Sequence, residues 1–324
     1  MKAVITGANG FLGTHLALAL AQRGDEVRCL VREGSERSGL VDPKLTVVVG
    51  DVTAPKTLGP AIEGADVVFH LAGIRRGSTR DDFMRVNVEG TRLVAEAMVK
   101  AGARRLVLAG SLAAAGPSVG GRPREESDPF CPEEWYGESK AEAERLAFSF
   151  SGPLEVTSCR PSRVVGPRDR ENLAFFKLVK RGVVLRLGGP QRKISMVDVD
   201  DCVDQFILQG DRQEAVGEAF FCSSGEATTL EELMLLIAEV LQVKPRTVPL
   251  PELVLRGLAE AADVVSNATG RKLPLNRKLA RQLLAPGWTC SIEKARRLLG
   301  YQPKVSLRDS AERSAKSYLE AGWL

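Results

Sequence analysis

The chain has 324 residues, of which 44% are hydrophobic and 27% charged, and its formal net charge is +4. This is ordinary globular composition, and Lys and Arg scattered among acids exclude the basic face of a nucleic-acid binder. No apolar run reaches the ~18 residues needed to span a bilayer. The N-terminal "MKAVITGANGFLG" enters a strand-like run at once, which reads as a cytoplasmic chain without a signal peptide.

The six cysteines (29, 131, 159, 202, 222 and 290) include no C-x-x-C pair, so reduced, buried thiols are expected instead of a disulfide frame. His15 and His70 are the only histidines and lack paired-ligand spacing, so no metal site is expected.

In chain order, β-rich runs at 2–6, 26–31, 45–49, 66–72, 105–110 and 154–160 alternate with helical stretches at 11–24, 83–102 and 136–150. The strands are mostly continuous apolar runs, which suits a sheet covered on both faces. Strand and helix in alternation predict right-handed crossovers and an α/β, doubly wound parallel sheet of Rossmann type. After about residue 166 clean βαβ units thin out into a smaller, mainly helical lobe. There, 229–242 reads as an amphipathic helix and 251–270 as a helix capped by Gly270.

"VITGANGFLG" places Gly7, Gly10 and Gly13 between the first strand and the first helix. Glycines at that junction permit a tight turn and close backbone approach to a pyrophosphate at the helix N-terminus. No Gly-Lys-Ser/Thr follows, which excludes a Walker loop. The second strand ends "CLVRE", with Val31 where an acid would bind a ribose diol and Arg32 next to it. Arg32 suits a 2′-phosphate, with Arg37 a second candidate and Glu33 opposing. NADP(H) is therefore favoured over NAD(H). Asp51 can accept from the adenine amino group while Val52 packs on the ring. His70, in "HLAG", reads as a packed strand residue.

Together these motifs resemble the extended short-chain dehydrogenase/reductase superfamily. They stand as "TGANGFLG" (6–13), "GDV" (50–52), "HLAG" (70–73), "NVEGT" (87–91), "YGESK" (136–140), "RPSRVVGPRD" (160–169) and "MVDVDD" (196–201), with "KARRLLGYQPKVSLRDS" (294–310) near the end. The resemblance implies a catalytic set of Ser111, Tyr136 and Lys140 with a supporting Asn87. It implies a cofactor lying against Gly7, Asn9, Gly10, Phe11, Leu12, Gly13, Leu71, Ala72, Gly73, Asn87, Tyr136, Lys140 and Pro161. It also implies a nucleotide-binding domain over 1–165, with 192–224 returning to it, and a substrate lobe over 166–324. A homodimer and a small-molecule substrate complete these expectations.

A helix carries residues i and i+4 on one face, so Tyr136 and Lys140 point together. A free tyrosine ionises near pH ~10. A neighbouring ammonium favours its phenolate, so such a tyrosine can exchange protons as general acid or base. The family dehydrates sugar nucleotides with an acid pair after the catalytic Ser/Thr, but here Leu112 and Ala113 stand there. Carbonyl/alcohol redox is preferred, with sugar-nucleotide epimerisation second. A non-catalytic dinucleotide sensor, the third reading, would lack the Tyr/Lys pair. The loop 112–135, the segment 166–191 and the segment 251–290 should wall an uncharged, mostly apolar pocket. The last of these would offer Leu253, Val254, Leu255, Leu258, Val264 and Val265.

Overall fold

The computed structural model describes residues 1–269 and 276–324; the expected cap at Gly270 lies outside them. Seven parallel strands form one sheet: β1 (Lys2–Thr6), β2 (Glu26–Val31), β3 (Leu45–Val49), β4 (Val67–His70), β5 (Arg105–Ala109), β6 (Glu155–Pro161) and β10 (Ala219–Cys222). Their spatial order is β10-β6-β5-β4-β1-β2-β3. The chain winds outward in both directions from β1 and β4, so the order reverses between them. A crevice opens at such a reversal, outside the carboxyl ends of the strands.

The continuous apolar runs are explained by two cores, one on each face of the sheet. Ile5, Phe69 and Val107 pack with Leu16, Leu20 and Phe206 on one side. Val4, Val68 and Leu106 pack with Ile62, Val94 and Met98 on the other. The edge strand β3 is only partly buried, as an uncovered margin should be.

The first helix, Phe11–Arg23, ends on Gly24 with φ 98°, a left-handed conformation that glycine adopts at little cost. The helix expected over 83–102 departs from a single α-helix. A short α-turn Arg80–Phe83, opened by a Thr79/Asp82 capping box, passes into a π-helical stretch Met84–Glu89. Regular α-geometry resumes over Gly90–Ala101. Apolar periodicity does not register one widened turn.

Beyond β6 the chain makes two small sheets that the sequence pattern did not signal. β7 (Arg163–Val165), β9 (Lys193–Asp198) and β11 (Ala227–Thr229) form one, and β8 (Val183–Leu187) with β12 (Arg246–Leu250) forms the other. Around them, Phe176, Val184, Leu233, Met234 and Tyr318 make a third core. No helix of the described residues is long and apolar enough to cross a membrane. Five cysteines are buried as expected, but Cys131 is exposed on the loop before the tyrosine helix.

Candidate active site

At the crevice beside β1 and β4, Gly7, Asn9, Gly10, Arg32, Asp51, Val52, Leu71, Ala72 and Gly73 line one cleft of about 560 Å³. The glycines are sterically required. Gly7 has φ +70°, and a Cβ there would sit 2.8 Å from the Ala72 nitrogen. A Cβ on Gly13 would meet the Gly7 carbonyl at 2.2 Å. Phe11 and Leu12 form the first turn of the Phe11–Arg23 helix, whose N-terminus has no side-chain cap and no acid. Its free N–H groups suit an anion, so this cradle fits a dinucleotide pyrophosphate.

Val31 is buried in the core. Arg32 is exposed at the cleft, and its side chain makes no hydrogen bond or ion pair among the described residues. One Asp51 oxygen already accepts from the Thr53 nitrogen and hydroxyl, both at 2.8 Å, which leaves its second oxygen for a ligand. Pro161 ends β6, in register with Cys222 of β10.

The reacting end is assembled from four separate stretches. Tyr136, Ser139 and Lys140 lie in the first turns of the Trp135–Phe148 helix. Ser111 caps a short turn, Leu112–Ala115, and its Oγ accepts from the Ala113 nitrogen at 3.1 Å. Gly137 lets that turn pack on the tyrosine helix, because a Cβ there would meet the Ala113 carbonyl at 2.3 Å.

Asn87 sits in the π-helical stretch and is buried. Its Oδ1 accepts from the Ile74 nitrogen at 2.8 Å. Its Nδ2 donates to the Ile74 carbonyl at 3.1 Å and to Ser139 Oγ at 2.8 Å. Ser139 in turn donates to the Tyr136 carbonyl at 2.8 Å. A Cβ on Gly73 would reach Asn87 Oδ1 at 2.9 Å and Lys140 Nζ at 3.5 Å, so the three groups converge on one spot. Ser139 was not anticipated; it lies within the quoted "YGESK" but only the fold reveals its partner.

Lys140 is buried and its Nζ donates to the Ala109 carbonyl at 2.7 Å. Burial pulls its pKa below the ordinary lysine value and Arg75 adds to that, while Tyr136 and Glu144 oppose it. Glu144 forms a buried pair with Arg160, with Nε to Oε1 at 3.0 Å, and accepts from Ser158 at 2.8 Å.

His70 bridges Thr6 (Nδ1, 2.7 Å) and Thr91 (Nε2, 3.1 Å). The Thr91 hydroxyl donates to the Asn87 carbonyl at 2.6 Å, so His70 Nε2 must be the donor and Nδ1 the acceptor. Burial, aided by Lys140, holds this histidine neutral, with its pKa lowered to about 3. It is a buried connector, as its strand position suggested.

Two observations bear on the expected pocket. The expected uncharged surroundings meet two guanidiniums. Arg75 lies over the Tyr136 ring at 5.7 Å, and half-buried Arg163 stands near Arg75. Within the helix Glu252–Thr269, only Leu255 of the six apolar side chains is buried, packed with Ala259 and Ala280. Leu253, Val254, Leu258, Val264 and Val265 are exposed, because the buried stripe of an amphipathic helix is narrow and they stand outside it.

A strand–glycine turn–helix at the sheet reversal, joined to a Tyr-x-x-x-Lys helix, defines a nicotinamide-dinucleotide enzyme acting at hydroxyl and keto carbons. The family model for the NAD dependent epimerase/dehydratase family matches residues 3–220, and the chain belongs to that family, within the extended short-chain dehydrogenase/reductases. A "Ceramide reductase" of Caulobacter vibrioides (strain NA1000 / CB15N) is 33% identical over 99% of this chain and 95% of its own. A "UDP-glucose 4-epimerase" of Vibrio cholerae is 27% identical over 98% of this chain and 95% of its own. The crystal structure of gox2253 superposes with a TM-score of 0.84 at 27% identity, covering 99% of both chains.

Proposed function

We propose that this enzyme is an NADP(H)-dependent oxidoreductase for the carbonyl or secondary alcohol of a mostly apolar small molecule. The observation that carries the reading is that Asn87 and Lys140 meet at Gly73, with Tyr136 on the Lys140 helix and the Ser111 turn packed against Gly137 of that helix. The sheet, with residues 1–165 and the returning 192–224, would hold the dinucleotide, and the lobe would hold the substrate. The ceramide reductase relative supports a reductase on an apolar molecule.

When bound, the nicotinamide exchanges a hydride with the substrate carbon. Tyr136 gives its hydroxyl proton to the carbonyl oxygen in reduction and takes it back in oxidation. Lys140, with one N–H held by Ala109, stabilises the phenolate and has two N–H groups left for the ribose. Ser111 accepts from its own turn, so its hydroxyl proton is free for the carbonyl oxygen as negative charge develops. Asn87 holds the start of the tyrosine helix through Ser139. Arg32, unpaired beside the adenosine end, supports the phosphorylated cofactor.

Tyr136 makes no hydrogen bond through its hydroxyl among the described residues, so Tyr136→Phe should leave the fold and NADPH affinity intact. It should lower kcat by ~10²–10⁴-fold. The assay is cofactor oxidation over a panel of ketones, aldehydes and UDP-sugars. Near-normal turnover by this variant would sink the assignment. The epimerase relative favours a second reading, sugar-nucleotide epimerisation. UDP-sugar conversion without net cofactor oxidation would select it.

A further inference from the structure

Arg75, over the tyrosine ring, and Arg163, within electrostatic reach of Arg75, have no carboxylate partner among the described residues. Arg75 follows "HLAG" on an exposed loop, lies over the Tyr136 ring at 5.7 Å, and makes no hydrogen bond or ion pair among the described residues. Arg163 opens β7. Its Nε donates to Asn172 Oδ1 at 2.8 Å, and its guanidinium lies over Phe175 at 5.3 Å. Its terminal nitrogens have no acceptor among the described residues.

The way Arg163 is held is informative. Asp169 is buried nearby, yet it does not touch Arg163. It accepts instead from the Glu171 nitrogen at 2.7 Å and from the Asn172 nitrogen and side-chain amide, at 3.1 and 2.5 Å. Asn172 is thus a neutral spacer: it orients the guanidinium and leaves its charge uncancelled. Glu171, the other carboxylate close by, is paired with Arg76 at 2.9 Å. Burial and the approach of Arg75 both depress the Arg163 pKa, although Asp169 and Glu171 oppose them from a distance. Arg75 and Arg163 are close enough for their charges to repel, and Arg75 also acts on the buried Lys140. An anion between them removes that cost and gains charge-assisted hydrogen bonds.

We propose that Arg75 and Arg163 form a subsite for an anionic oxygen group, a carboxylate or a phosphoryl, that the substrate carries near its reacting carbon. The substrate would then be amphipathic, with a charged group beside Tyr136 and an apolar remainder. This placement rests on the oxidoreductase reading of Tyr136, but the binding test below does not.

The NADPH-loaded full chain is titrated calorimetrically with 3-oxodecanoate and its methyl ester, and with UDP and uridine. In the wild type the anionic member of at least one pair should bind ~10–100-fold more tightly, the one to two decades of a charge-assisted bond. Arg75→Gln and Arg163→Gln should each bring that ratio toward one, with NADPH affinity unchanged. Arg75 is exposed and its side chain makes no hydrogen bond or ion pair among the described residues, so its variant should fold even where Arg163→Gln fails.

A ratio near one in the wild type for both pairs would overturn the subsite. So would arginine variants that weaken NADPH and spare the probe ratio, since the arginines would then serve the cofactor's phosphates. An arginine-dependent preference for the keto acid assigns a carboxylate; one for UDP assigns a diphosphate and shifts the reaction toward epimerisation. Arginine-dependent binding of the keto acid without its reduction would keep the subsite and count against the oxidoreductase reading.

Discussion

Removing the Asn87 side chain tests how the reacting end is held. Asn87→Ala deletes three hydrogen bonds, two to the Ile74 backbone and one to Ser139. Each buried group left without a partner costs ~1–3 kcal/mol. Ile74 borders the cleft, so water can replace part of what its backbone loses. Ser139 is fully buried, so its oxygen has no water to replace the lost amide, although its hydroxyl still donates to the Tyr136 carbonyl. The expected loss is therefore ~2–4 kcal/mol in urea denaturation, with little change in slope.

The same deletion leaves the Ser139 hydroxyl held only by its bond to the Tyr136 carbonyl, so kcat should fall ~10–100-fold through looser placement of the tyrosine. Ser139→Ala should lower kcat similarly with a smaller stability loss. Because the two side chains touch, the double variant should be less damaging than the sum by at least ~0.5 kcal/mol. Strict additivity, or a stability loss under ~0.5 kcal/mol with normal kcat, would show that Asn87 does not hold the site together.

Two further outcomes follow from the same geometry. His70 has a folded-state pKa of about 3, below its unfolded value of 6.5, so the unfolded chain takes up the extra proton. Its stabilisation is complete above pH ~6.5 and is lost as pH falls toward the folded value, ~2 kcal/mol by pH ~5. His70→Gln should flatten that part of the stability–pH curve measured by urea titration, and an unchanged slope would refute the buried neutral tautomer. For the cofactor, Val31→Asp combined with Arg32→Ala should swing the NADPH/NADH ratio of kcat/KM toward NADH by one to two decades or about 1.5–3 kcal/mol. No change would make Arg32 a surface residue only.

Alternating apolar runs and helical stretches located six of the seven sheet strands, because each run reports its own burial on a two-faced sheet. The glycine turn was equally legible, since only glycine takes φ +70° at Gly7 against the Ala72 backbone without strain. Tyr136 and Lys140 share a helix face through local spacing alone. The rest depended on contacts between distant segments. Short β10 joins the sheet only because β6 offers it an open edge. Asn87 enters the site through a π-helical stretch that no 3.6-residue period encodes. Ser111 reaches the tyrosine helix because Gly137 lies against Ala113, and Arg75 and Arg163 come within electrostatic reach only after β4 and β7 are placed. Local pattern tells which residues a strand or helix buries; which elements then face one another is settled when non-local packing closes the chain, and that is where the charge beside Tyr136 was decided.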